Sequence, residues 1–200
     1  MKARLVGLAV VVSVVVLFAL RPQVVDELTG PFRDDETLLA AALAREGGSP
    51  GHVAFAWPGW LIRFVAGQRE LDFATNLGEN DQSKLQFVLA ALFEHEQQES
   101  AAEEIYYVLS MAQRAIDEGA DIDHMSGYGL SALHEAVLFG STNATRLLTG
   151  NGADCGAQVS RPGKPIDGMT ALEMARYLSS RDDRDRTAIV QLLRANDCSD

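Results

Sequence analysis

Two identical tripeptides, Gly119-Ala120-Asp121 and Gly152-Ala153-Asp154, stand 33 residues apart, and the chain between them is patterned for two short helices. Ser131 offers a hydroxyl to the free N–H groups of a first turn. Leu133, Ala136 and Val137 then fall at i, i+3 and i+4, an apolar stripe on one helical face. Gly140 supplies a turn, Leu147 and Leu148 give a second apolar helix folding back on the first, and Gly152 suits the left-handed residue that ends a helix. This period constrains the fold more than any other feature. A unit of two short helices cannot bury its apolar face alone, so it has to stack on further copies.

Those copies are recognisable. Gly168-Met169-Thr170-Ala171-Leu172-Glu173-Met174-Ala175 opens one that closes with Ile189, Leu192 and Leu193, and Tyr106 to Ala115 reads as the second helix of an earlier, degenerate one. The run from Gly129 to Gly140, with Leu133-His134 and Ala136 inside it and Leu147-Leu148 and Gly152-Ala153-Asp154 after it, resembles the ankyrin repeat. That pattern runs G-x-T-P-L-H-x-A-A-x-x-G, then L-L and G-A-D. Ser131 and Ala132 replace its Thr-Pro, losing a preset φ and keeping the cap. The resemblance covers residues 101–198, half the chain. It implies an all-α solenoid of ankyrin-type helix pairs in which the ring of His134 bonds the backbone of a neighbouring repeat. It also implies a concave docking surface made of hairpin tips and first-helix faces. On this chain those faces offer Glu135, Leu138 and Phe139 in the middle repeat and Glu173, Arg176 and Tyr177 in the last. The hairpin Ile122 to Gly129 adds Asp123, His124 and Tyr128 near its tip. Phe139 reads either as the apolar anchor of a partner or as a core residue.

Ahead of the repeats, residues 34–100 read as a divergent helical amino-terminal cap, which solenoids need to cover their end faces. Asp34-Asp35-Glu36-Thr37 opens a helix through Arg45, with acid at its positive end and Arg45 at its negative end. A loop follows over 49–59, then helical pieces at Trp60 to Val65 and Leu71 to Leu77, a turn at 78–81, and a helix Lys84 to Phe93 capped by Ser83. His95 to Ser100 reads as a solvated loop and Ala101 to Glu118 as a long helix.

Residues 1–20 stand apart from the fold. Lys2 and Arg4 precede sixteen residues, Leu5 to Leu20, that are apolar except for Gly7 and Ser13. As a helix this run spans ~24 Å at ~1.5 Å per residue, short of a ~30 Å hydrocarbon core yet insertable with local thinning. Leu17 is bulky for the −3 position of a cleavage site, so a signal-anchor is preferred over a cleaved signal peptide. Residues 21–33 are then a linker. The basic residues place the amino terminus inside. Lys stands only at 2, 84 and 164, and Ala is abundant, a bias of GC-rich bacterial genes. The expected location is therefore the bacterial inner membrane, held through residues 5–20, with the domain in the periplasm. A soluble periplasmic protein is the alternative.

A formal charge of −11 argues against nucleic acid, which needs a basic face, and favours a protein partner. No nucleophile elbow, phosphate-cradling glycine loop or C-x-x-C is present, and Glu94-His95-Glu96 lacks the second His of a zinc-protease motif. The reading is of a non-enzyme with no cofactor and no metal site, with an unrecognised active site the outside alternative. Gly129 and Gly168 are 39 residues apart, so six extra residues fall around Gln158 to Pro165, and Arg161 and Lys164 make that loop basic. It is either a binding insertion or a tolerated one. The segment Ser179 to Arg186 reads as a solvated, charge-balanced link. Cys155 and Cys198 sit at nearly equivalent places in adjacent repeats. Equivalent places lie about 10 Å apart, beyond the ~7 Å reach of a disulfide, but a swing of the carboxyl-terminal end would close the gap. Both a bridge and two free thiols fit, and the bridge is preferred. The function expected is a binding module that scaffolds or protects a partner protein, or alternatively an immunity protein sequestering a toxin in the periplasm.

Overall fold

A computed structural model describes residues 35–43, 59–77, 80–98, 100–182 and 184–198. The anchor or signal peptide expected at 1–20, the linker at 21–33 and all but the last residue of the loop at 49–59 lie outside them. The elements are α1 (Asp35–Leu43), α2 (Gly59–Gln68), β1 (Asn76–Leu77), β2 (Gln82–Ser83), α3 (Lys84–Gln97) and α4 (Ala102–Asp117). After these come α5 (Ala132–Phe139), α6 (Thr142–Gly150), α7 (Ala171–Ser179) and α8 (Thr187–Ala195). Consecutive helices pack as pairs: α1 with α2, α3 with α4, α5 with α6, and α7 with α8. The pairs then stack in two rows. In one, α1 lies on α3, α3 on α5 and α5 on α7; in the other, α4 lies on α6 and α6 on α8. The described chain is mostly helical, as the repeat pattern requires.

Local chemistry fixes where each first helix begins. Ser83 with Gln86, Ser131 with His134 and Thr170 with Glu173 form reciprocal capping boxes at the starts of α3, α5 and α7. Gly140 ends α5 in the left-handed region at φ 79°, and Ser141 caps α6 through the Ala144 N–H. The seams are lined by small residues, Ala112, Ala115, Ala136, Ala144, Ala171 and Ala175, all buried, which let helices approach closely. Leu89, Leu133, Val137, Leu148, Leu172, Ile189 and Leu193 fill the space between them. Removing such apolar surface from water is the main force holding short helices together.

Three stretches depart from the sequence reading. Leu71 to Leu77 is not helical. Leu71 and Phe73 are buried on either side of exposed Asp72, and the Asp72 carboxylate accepts the Ala74 N–H at 3.0 Å, turning the chain. Lys84 Nζ takes the Asp72 carbonyl and Thr75 Oγ1, and β1 pairs antiparallel with β2, Asn76 opposite Ser83. α3 runs on past Phe93, so His95 lies within the helix and is buried, not on a solvated loop. Its Nε2 lies 3.0 Å from the Leu43 carbonyl and donates to it, leaving Nδ1 to accept from Ser100 Oγ at 3.0 Å. The ring thus ties the end of α1 to the α3–α4 connection. Finally, the link before α8 is not simply solvated, because the Arg186 side chain is completely buried.

Cys155 and Cys198 are disulfide-bonded, with Cα atoms 5.1 Å apart rather than the ~10 Å of stacked equivalent places. Cys155 lies in the loop beyond α6. Asp197, at φ +56°, turns the chain back so that the Cys198 N–H bonds the Leu193 carbonyl at 3.1 Å. The bond closes 43 residues of sequence around the last repeat.

Candidate functional site

The connections between pairs stack as a second layer beside the helices. The loop 121–130 lies between the β1–β2 turn and the loop 154–168. On one side the Gly127 N–H donates to the Asn80 carbonyl at 2.6 Å and His124 Nε2 to the Asp81 carbonyl at 2.6 Å. On the other, the Asp154 N–H donates to Asp123 Oδ1 at 2.7 Å and the Ser160 N–H to the Gly129 carbonyl at 2.9 Å. Gly129 is required here: its φ is +69° and a Cβ would meet the Ser160 oxygen at 1.8 Å. Asp123 and His124, read from sequence as docking residues, are therefore occupied in joining neighbouring loops. Tyr128 beside them is 48% exposed.

The insertion is anchored at its base. The Val159 N–H bonds the Met169 carbonyl and the Gly168 N–H the Val159 carbonyl, both at 2.9 Å, with Val159 buried. The Arg161 N–H donates to Asp167 Oδ1 at 2.8 Å, and Lys164 is exposed at the outer turn. Lys164 thus projects from a held loop next to the 121–130 tip, while Arg161 is half-buried beside Gly129.

The first-helix faces give a different picture at the far end of α5. Phe139 is 40% exposed and stacks on Phe93 of α3, with ring centroids 4.7 Å apart and planes 20° from parallel. It is both packed and accessible, so the choice between anchor and core residue does not arise. Leu138 is half-buried. On α7, the Arg181 guanidinium lies over the half-buried Tyr177 ring at 5.1 Å, and Arg176 is half-buried. Glu173 is exposed, with Oε2 accepting the Thr170 N–H at 2.8 Å. Glu135, expected on the same face, is buried. It is 7% exposed in the α3–α5 seam, and burial pushes its carboxyl from the ordinary 4.5 up to about 7. The residues expected to dock therefore fall into separate groups: those on the loops, with Glu173 at the start of α7 on the same side, and Leu138, Phe139, Arg176 and Tyr177 further along the helices, with Glu135 buried.

Residues 101–149 match the profile of the family described as ankyrin repeats (many copies). That segment carries ankyrin repeats. A crystal structure of an ankyrin repeat domain from Acinetobacter baumannii AYE is similar at 17% identity and a TM-score of 0.35, over 82% of this chain and 99% of that one. No curated protein matches the chain in sequence. Ankyrin repeats are in general non-enzymatic protein-interaction modules.

Within the ankyrin repeats, His134 takes the capping role. Its Nδ1 is 2.8 Å from Ser131 Oγ, and burial lowers its pKa so that the ring is held neutral. The backbones at Ala157 and Met169 act in the opposite direction, yet neither closes a hydrogen bond to Nε2. The hydrogen bond expected from the ring to a neighbouring repeat's backbone is therefore not closed in this structure. Among the described residues no group of His, Cys, Asp and Glu is placed to hold a metal, and no helix is long and apolar enough to cross a membrane.

Sequence reasoning misses Arg186 and Arg184. Arg186 Nε donates to the Val137 carbonyl at 2.9 Å and Nη2 to the Leu138 carbonyl at 3.0 Å, while Asp182 Oδ2 accepts from Nη2 at 2.9 Å. Arg184 Nη1 reaches the Leu138 and Phe139 carbonyls at 3.3 and 3.2 Å. Two cations from the last ankyrin repeat therefore cap the carboxyl-terminal end of α5, where the helix dipole favours positive charge. The partners are more than forty residues apart in sequence, and no local motif announces them.

Proposed function

We propose that this chain is a non-enzymatic protein-binding module whose docking surface centres on Phe139, and that it scaffolds or protects a partner protein in a bacterial periplasm. Phe139 carries the reading. A large aromatic side chain, held against a second ring and still accessible, has the profile of an interface anchor, since rigid aromatic surface loses little entropy on binding. The disulfide suits an oxidising compartment, and the apolar run at 5–20 supplies an inner-membrane tether or an export signal. The alternative is an immunity protein that sequesters a toxin acting in the periplasm. The net charge of −11 favours it, because such a surface masks a basic partner.

The test is capture of a partner by the exported chain, followed by Phe139→Ala and Tyr177→Ala. Loss of an anchor aromatic costs about 2 kcal/mol, or roughly a thirtyfold fall in affinity. Unchanged capture by the folded double variant would place the docking surface at the Tyr128–Lys164 end instead. A phosphatase fused after Asp200 should be active outside the cytoplasm if the chain is exported, and inactivity there would refute the location.

A further inference from the structure

The seam between α3 and α5 carries two contacts on the same pair of faces. Glu135 and Phe139 are one turn apart on α5; Gln86 and Phe93 are two turns apart on α3. At one end Gln86 Nε2 lies 3.5 Å from Glu135 Oε1, the limit of a hydrogen bond, while donating at 3.0 Å to the Leu130 carbonyl. At the other end Phe93 stacks on Phe139. What closes the first contact therefore bears directly on the second.

Among the described residues, Glu135 has no counter-ion in this seam. On α3, Lys84 is engaged by Asp35, the Asp72 carbonyl and Thr75. Further along that helix, His95 is held by Ser100 and Leu43, Glu94 is exposed, and Glu96 accepts from Asn143 of α6. Arg146 of α6 is exposed, and Arg176 of α7 is half-buried. Glu173 of α7 bonds its own Thr170, and Arg184 and Arg186 serve the opposite end of α5. His134, the other titratable group on α5, bonds Ser131. None of these charges offsets the burial of the Glu135 carboxyl.

We infer that Glu135 is a proton-operated latch on the docking surface: protonated, it lets α3 and α5 close and holds Phe139 against Phe93; ionised, it draws water into the seam and loosens that stack. A buried carboxylate with no counter-ion and one marginal donor pays the desolvation of its charge, and opening the seam is the way to relieve it. The latch rests on the proposal that Phe139 anchors a partner, and it makes binding dependent on pH near neutrality.

The experiment uses the full chain without a partner, so its outcome is separate from that of the docking proposal. Backbone hydrogen exchange in residues 84–97 and 132–139 is measured at pH 6 and pH 8 and corrected for the intrinsic pH dependence. The unsubstituted chain should lose roughly tenfold or more of its protection in both segments at pH 8. Glu135→Gln, close in shape and uncharged, should keep its protection at both values. As a second readout, Phe139→Trp should report a fluorescence transition with a midpoint near 7, absent when Glu135→Gln is added. Protection independent of pH in the unsubstituted chain, or the same loss in Glu135→Gln, would overturn the latch.

Discussion

The two ends of α5 each bury a charged or chargeable side chain, and they treat it in opposite ways. At the carboxyl-terminal end, Arg186 is removed from water but surrounded by acceptors: the main-chain carbonyls of Val137, Leu138 and Arg184 and both oxygens of Asp182. At the amino-terminal half, Glu135 is nearly as buried and meets one marginal amide donor. The comparison separates burial from its cost. A buried charge with its hydrogen bonds complete joins repeats together, whereas one without them is forced toward its neutral form. The helix is thus fixed to the last repeat through its carboxyl-terminal carbonyls, whereas its side-chain seam with α3 is the protonation-sensitive contact.

The largest effect is expected from breaking the fixed joint. Arg186→Leu keeps apolar bulk but removes the bonds to the Val137 and Leu138 carbonyls. Hydrogen bonds to a charged donor contribute about 1.5–3 kcal/mol each, so the loss should be roughly 3–6 kcal/mol in urea unfolding. Arg186→Lys should recover only part of it, because an ammonium cannot present the planar fork. Full stability in Arg186→Leu would mean that Arg184 alone caps α5.

How far the sequence discloses these two ends depends on the range of the interactions. The α5 helix, its Ser131 cap, its Gly140 stop and its apolar stripe are all set by residues within a few positions of one another, and they are readable. The clamp at Arg186 acts on carbonyls 48 and 49 residues away, so a charge-rich link looks like solvated chain until the repeats are stacked. Leu71 to Leu77 fails for a related reason. Its conformation is decided by Lys84 and by pairing with Gln82 and Ser83, not by its own propensity. Helical spacing misplaces Glu135 because it assigns a residue to a side of one helix, and only the neighbouring α3 decides whether that side is covered. It misplaces His95 because α3 continues four residues beyond its last apolar position, Phe93.

A somewhat smaller effect, of opposite sign, is expected at the protonation-sensitive end. Burial raises the Glu135 carboxyl from 4.5 in the unfolded chain to about 7 in the fold. The folded state therefore binds its proton more tightly, and the stability this confers is complete below pH 4.5 and is lost as pH rises through 7. Glu135→Gln removes that slope. The variant should match the unsubstituted chain near pH 4.5 and exceed it by about 3 kcal/mol at pH 8, since a tenfold change in proton affinity corresponds to about 1.4 kcal/mol. Parallel stability curves for the two chains would show that Glu135 is solvated in the fold.

The smallest effect belongs to Asp182, and its sign completes the contrast. The hydrogen bond from Arg186 holds the Asp182 carboxyl below the usual carboxylate range, partly opposed by desolvation and helped by the Arg184 backbone. Its stabilising contribution is thus present above the ordinary carboxylate value of 3.8 and disappears as pH falls below it, the reverse of Glu135. Asp182 is solvent-exposed, and Asn at this position keeps one acceptor for Arg186. Asp182→Asn should therefore be slightly less stable than the unsubstituted chain at pH 7 and converge with it in acid. The informative measurement is a double-mutant cycle with Arg186→Leu in urea at pH 7. If the main-chain carbonyls hold Arg186, Asp182→Asn loses far less than Arg186→Leu, and the coupling is a small fraction of the Arg186 loss. Equal losses from the two single variants would show instead that the ion pair, and not the capping of α5, ties the last repeat to the middle one.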